Sequence, residues 1–196
     1  MKETDFDSKE EYYFYWYLLE LIKLGFVSEF KYHPKSWVLT ERVTRPKTKL
    51  LKTKIKEIDQ SIFQLHSYQC DFAIAWTKLA YRYFIENFHS LEIVNAPFIG
   101  MENTKIGLIS FIDIKGTFTG RNNTSAVTFP LNQKWTFAKY GVYVQKIIPI
   151  KLFENTFTPD QYLKTDKSGK ARKIKFTTKT INEYYEIRRN RLEALP

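Results

Sequence analysis

Cysteine occurs once in this sequence, as Cys70. One thiol excludes an intramolecular disulfide and any zinc site built from several thiolates, and it fits a reducing compartment. Histidine is almost as scarce: His33, His66 and His89 share no ligand spacing and read as structural or exposed. Long apolar runs are missing too. The acidic opening Met1-Lys2-Glu3-Thr4-Asp5 is followed by none, so the expectation is a soluble, cytoplasmic chain with no signal peptide and no membrane partner. No internal repeat is visible. Acids are in deficit, 21 against 31 lysines and arginines, for a net charge of +10 and a pI near 9.5. Such a balance favours a polyanionic partner, because each cation set against a phosphate releases condensed counterion.

What is present suits one domain of 196 residues with its own core. Aromatic residues make up 17% of the chain, enough for a heavy core. From Ser8 to about Leu24, the apolar residues Tyr12, Tyr15, Leu18, Leu19 and Ile22 recur at helical spacing, and Gly25 supplies a stop. Ser8 with Glu11 fits a capping box, and Asp7 with Glu10 fits the same geometry one residue earlier. The tyrosines from Tyr12 to Tyr17 read as packing material.

Two strands are expected at 27–32 and 36–40, around His33-Pro34. The run from Arg45 to Lys56, with Lys47, Lys49, Lys52 and Lys54, is either a solvated loop or a stripe that tracks phosphates. Another strand is expected at 67–76, interrupted by Asp71, and 78–88 is aromatic-rich with a helical reading. The strongest strand runs from Ile106 to Lys115 and is followed by Gly116. Thr117 to Thr128, with Arg121, reads as an exposed loop, and Asn132 to Tyr140 as a short basic helix closed by Gly141. A further strand lies at 142–148, ended by Pro149. Strand, helix, strand from 106 to 148 argues for an α/β unit. Beyond Pro149 the stretch Lys164 to Lys175 reads as a basic linker or arm, and Thr178 to Leu195 as a final helix anchored by Ile181, Tyr184, Tyr185 and Leu192.

Charged residues inside apolar strands need a reason. Side chains alternate along a strand, so Asp113 and Lys115 share one face while Ile112 and Ile114 share the other. Desolvation penalises such charges unless they are paired, metal-bound or set in a cleft. Glu11 (or Glu10) on the first helix, Asp71, and Asp113 with Lys115 together supply the parts of a cation-assisted hydrolytic site: carboxylate oxygens for a hard divalent ion and an ammonium to position water and offset charge. Read blandly, Asp113 and Lys115 are a strand-end ion pair, Asp71 a turn-capping acid and Glu11 a capping-box partner.

An acid on one strand, Cys70-Asp71, followed by acid-x-lysine on another, Asp113-Ile114-Lys115, resembles the signature of the PD-(D/E)xK nuclease superfamily. With Ser8-Lys9-Glu10-Glu11 opening a helix and Tyr143-Val144 after a lysine-containing helix, the pattern resembles the phage-associated endonuclease and Holliday-junction-resolvase-like branch. It is also similar to the endonuclease subunit of some transposition systems. The resemblance implies a restriction-endonuclease-like α/β fold, a mixed central sheet flanked by helices. Residues 1–150 would form the nuclease core, with 77–105 inserted between the acid-bearing strands and carrying its own helix, and 151–196 would be a basic C-terminal arm and helix. It also implies Mg²⁺-dependent (or Mn²⁺-dependent) hydrolysis of DNA, with selectivity for branched substrates. Glu11, Asp71, Asp113 and Lys115 would be catalytic, and Glu11, Asp71 and Asp113 the metal ligands. Lys134, Lys139, Lys47, Lys49, Lys52, Lys54 and Arg121 would contact nucleic acid, and a homodimer would serve a double-strand cutter. The alternative is a nucleic-acid-binding accessory protein that keeps the fold without the chemistry.

Overall fold

Ser8 opens helix α1 (Lys9–Lys23) by accepting a hydrogen bond from the Glu11 N–H at 3.2 Å, and Gly25 closes it at φ +76°. The computed structural model describes residues 1–92, 94–105, 107–117, 124–164 and 170–194. After α1 come β1 (Val27–Tyr32), β2 (Trp37–Thr40), β3 (Val43–Leu50), β4 (Ile55–Phe63), β5 (His66–Tyr68) and β6 (Phe72–Trp76). Next follow β7 (Ile85–Asn87), β8 (Phe98–Asn103), β9 (Gly107–Ile114), α2 (Thr124–Tyr140), β10 (Val144–Ile147), α3 (Pro149–Asn155), α4 (Asp160–Lys164) and α5 (Ile181–Glu193). The protein is thus mixed α/β, with a mixed sheet and five helices among the described residues.

The main sheet is organised on β9. One edge of β9 pairs antiparallel with β6, which pairs antiparallel with β1. Its other edge is shared: β8 pairs antiparallel with the first residues, Gly107 to Ile109, and β10 pairs parallel with the last, Phe111 to Ile114. β7 extends the sheet beyond β8. Parallel pairing of β9 with β10 requires a crossover, and α2 supplies it. Two further pairs lie outside this sheet: β2 with β5, and β3 with β4.

The core lies between α1, the main sheet and the C-terminal helices. Phe14, Tyr17, Leu18 and Leu21 of α1 are fully buried, each contributing roughly 1.5–3 kcal/mol of transfer free energy. They meet Phe72, Ile112, Phe98, Phe153 and Phe157 in one hydrophobic cluster. Tyr17 stacks on Phe157 with ring centroids 4.1 Å apart, and its hydroxyl shares a 3.1 Å hydrogen bond with Thr156. Burial pushes that hydroxyl well above the ordinary tyrosine range.

Several expectations are revised. The buried stripe of α1 runs 14, 17, 18, 21, whereas Leu19 is exposed; Tyr12 and Tyr15 are only half-buried, packing on Phe6. Helix α2 begins at Thr124 rather than near Asn132 and carries Pro130 inside it, although a proline removes one helical hydrogen bond and invites the later start. Residues 124–128 are therefore helix, not loop, and 118–123, including Arg121, lie outside the described residues. The 77–105 segment holds no α-helix among its described residues: it makes one 3₁₀ turn at Lys78–Ala80 and then strands β7 and β8, because Phe84, Ile85 and Phe98 bury in the core. The expected strand at 67–76 is two strands, β5 and β6, broken at 69–71.

The C-terminal part is not a free basic arm. Ile181 and Tyr184 of α5 join the main core, and Arg188 is buried and donates to the carbonyls of Arg82 at 3.2 Å and of Val94. Arg172 lies over the rings of Tyr13 and Tyr162, 4.6 and 4.4 Å from their centroids, which ties the preceding segment to α1 and α4. Truncating an anchor of α5 therefore has the cost of a core truncation. We expect Ile181→Ala to lower unfolding free energy by roughly 2–4 kcal/mol in urea titrations, within one cooperative transition; a loss below about 0.5 kcal/mol would mean that α5 is a surface appendage.

Candidate active site

The β6–β9 pairing brings together two acids 42 positions apart in sequence. Phe72 pairs with Ile112, so Asp71, one residue before the first, sits beside Asp113, one residue after the second. Backbone bonds hold this end of the sheet: the Asp71 N–H donates to the Ile112 carbonyl at 3.0 Å, and the Ile114 N–H donates to Asp71 Oδ2 at 2.6 Å. Asp113 is buried; Tyr68, at the end of β5, donates its hydroxyl to Asp113 Oδ2 at 2.5 Å. Lys115 closes an ion pair with Asp113 Oδ1 while keeping 27% of its side chain exposed, and its ammonium lies 5.9 Å from the Phe129 ring of α2.

Electrostatics in this corner follow from burial and like charge. Desolvation, with Asp113 next and a smaller contribution from Glu11, pushes the Asp71 carboxyl up to about 7, against the opposing pull of the Ile114 N–H and Lys115. Burial and the neighbouring Asp113 drive the Tyr68 hydroxyl far above its ordinary value, so it stays a donor. Cys70, fully buried, has its thiol pushed up by burial and then by Asp71 and Asp113, which makes it inert packing.

Two acids of α1 flank this group differently. Glu11 is buried and turned toward the helix start: Oε1 accepts from the Ser8 hydroxyl at 2.7 Å, and Oε2 from the Tyr32 hydroxyl at 2.6 Å and the Asp7 N–H at 3.2 Å. Among the described residues, the trio of ligand-type atoms lying within 4.8 Å of one another is Asp7, Glu11 and His33. Glu11 therefore does not close a trio with Asp71 and Asp113, contrary to the sequence expectation, because its capping bonds orient it elsewhere. Glu10 points the other way, its Oε1 only 3.4 Å from where a side chain on Gly116 would begin, immediately after Lys115. His33, which sequence spacing left as structural, adopts φ +48°, donates its N–H to the Asp71 carbonyl at 2.8 Å and sets Nε2 3.5 Å from Asp7. Its position across from Asp71 follows from β1–β6 pairing, which no local motif encodes.

The expected nucleic-acid contacts separate. Lys134 is exposed on α2. Lys139, also exposed, donates its ammonium to the Val38 carbonyl at 2.8 Å and to that of Leu39 at 3.4 Å, bracing β2 against α2. Gln133 likewise donates to the Val144 carbonyl at 2.6 Å. Lys47 and Lys49 lie on β3, and Lys52 and Lys54 at the turn that follows it, all exposed.

Comparison with protein-family models, curated proteins and solved structures finds no match. The chemistry of the site is what bears on function.

Asp71 in the folded chain keeps its proton to about pH 7, whereas in the unfolded chain it loses it near the ordinary value of 3.8. Between those values the folded state binds more protons, so this group makes the metal-free protein less stable as pH rises from about 4 to 7. Carboxyl-carbon NMR of Asp71 should give a midpoint near 7 that falls in Asp113→Asn; a midpoint near 4 in the parent would contradict the assigned environment.

Proposed function

We propose that this protein hydrolyses phosphodiester bonds of DNA with the help of a divalent cation, on a restriction-endonuclease-like core formed by α1, β1, β6, β9, α2 and β10. The observation that carries the reading is the meeting of Asp71 and Asp113 at the ends of the paired strands β6 and β9, with Lys115 against Asp113. An all-oxygen pair of carboxylates, partly buried and repelling one another, fits a hard cation such as Mg²⁺ or Mn²⁺. When bound, such an ion polarises the phosphate and acidifies coordinated water.

The remaining roles belong to the chain. Asp71 and Asp113 hold the cation, the Ile114 N–H fixes the first of them and the Tyr68 hydroxyl the second. Glu10, beside Gly116, is the α1 acid placed to bind or orient water at the end of β9. Lys115 exchanges its contact with Asp113 for the attacking water and the phosphate oxygens, offsetting charge that grows in the transition state. Lys134 is a candidate phosphate contact on the neighbouring helix. The trio of Asp7, Glu11 and His33 contains an imidazole, which suits first-row transition ions better than Mg²⁺.

A second reading, nucleic-acid binding without cleavage, is favoured by the same Lys115–Asp113 contact taken as a permanent ion pair. Activity separates them. Purified protein with Mg²⁺ or Mn²⁺ should cut labelled duplex or branched DNA. Asp113→Ala should abolish cutting while DNA affinity, measured in Ca²⁺, stays within about threefold, and Lys115→Ala should slow cutting by about 10²–10³-fold. DNA binding without cleavage on any substrate with either metal would select the second reading, and unchanged cutting by Asp113→Ala would refute the first.

A further inference from the structure

Strands β3 and β4 form a long two-stranded ribbon that pairs with no other described strand. Every residue of β3 is exposed, as are Ile55, Lys56, Glu57 and Asp59 of β4. A lone hairpin is marginally stable in water, and a chain that keeps one this long without covering it has a surface to offer. The register separates its charges. Arg45 pairs with Gln60, Lys47 with Ile58 and Lys49 with Lys56; the alternate pairs are Thr44 with Ser61, Pro46 with Asp59 and Thr48 with Glu57. Cross-strand partners share a face, so Arg45, Lys47, Lys49 and Lys56 project from one face, which carries no acid, while Glu57 and Asp59 project from the other. The 3.0 Å hydrogen bond from Arg45 Nε to Gln60 Oε1 lies on the basic face.

We propose that this ribbon is a DNA-gripping arm whose basic face, Arg45, Lys47, Lys49 and Lys56, lies in the groove of a B-form duplex. The proposal rests on the nuclease reading for the identity of the polyanion, and it adds the element and the face that engage it. Eight residues at about 3.4 Å each give an arm roughly 27 Å long, and a two-stranded ribbon fits the B-form major groove, about 12 Å wide. Double-stranded RNA offers a deep, narrow major groove that excludes it. A strand-adding protein partner fits less well: Pro46 lacks an N–H, and the lysines along β3 discourage a further strand at that edge.

The arm's base is the β2–β5 pair, which touches the candidate site through Tyr68. The chain runs from β2 into β3 and returns from β4 into β5, and β5 ends at Tyr68, the hydroxyl donor to Asp113. β2 and β5 are paired with each other and braced by α2, through Lys139 and Tyr140 on the Val38 carbonyl and through His66 on Asn132 at 2.9 Å. The arm is thereby rooted on the strand pair whose Tyr68 contacts Asp113.

The test is fluorescence anisotropy with the full chain and a labelled 40-base-pair DNA duplex in EDTA, so that binding is read whether or not the protein cuts. Lys47→Gln/Lys49→Gln/Lys56→Gln should weaken binding by at least about tenfold at 0.1 M salt. The same variant should reduce the slope of log affinity against log salt by about 2–3, at roughly 0.9 for each phosphate no longer neutralised. Glu57→Gln/Asp59→Asn, on the opposite face, should leave binding unchanged or tighten it. An RNA duplex of the same sequence should bind more weakly. Because the ribbon buries little, both variants should keep the parental melting temperature. The proposal fails if the triple variant binds within twofold of the parent, if the opposite-face variant weakens binding equally, or if RNA and DNA duplexes bind alike.

Discussion

Antiparallel pairing of β6 with β9 is the constraint on which the rest depends. It is non-local, closed by hydrogen bonds from Asp71 N to Ile112 and from Ile114 N to Asp71 Oδ2, and it holds two carboxylates side by side at the end of a sheet whose other face is packed core. Like charges in a partly desolvated corner are costly, and the structure meets the cost in two visible ways: Lys115 pairs with Asp113, and Asp71 is pushed toward its protonated form. Under the proposed reading, a bound cation would release both responses.

The surrounding fold serves that corner. Ile112, next to Asp113, points into the core, so the β9 backbone is anchored while Asp113 stays at the sheet's end. Helix α1 buries one stripe against the sheet and sets its first turn against β1, where the Glu11 carboxylate takes hydrogen bonds from Tyr32 and Ser8. The C-terminal helices close the core through Phe153, Tyr162 and Tyr184, joined by Phe157 from the link between α3 and α4. Tyr68 ends β5, the strand that follows the ribbon in the chain, and its hydroxyl reaches Asp113.

Local patterns carried much of this into view. The β9 strand, the helix at α1, the parallel β10 and the Asp113–Lys115 pairing all follow from periodicity over a few residues, and Asp71 was marked by a charge interrupting an apolar run. What depended on distant partners was not legible. Glu10 and Glu11 sit about 100° apart on one helix turn, and only packing decides which faces β9 and which caps the helix. His33 meets Asp7 through strand pairing. Nothing near Arg188 in the sequence announces the Arg82 and Val94 carbonyls that receive its hydrogen bonds. The run 45–56 read as a solvated loop or a phosphate-tracking stripe and not as paired strands, since lysines alternating with threonine and proline lack the apolar face that normally marks a strand.

The central claim, that Asp71 and Asp113 share one divalent cation, is tested most directly by anomalous diffraction from crystals grown in Mn²⁺. The expected result is an anomalous peak within coordination distance of both carboxylates, with the Lys115 ammonium moved off Asp113. Manganese found only at Asp7, Glu11 and His33, or no peak between the paired acids at saturating Mn²⁺, would contradict it.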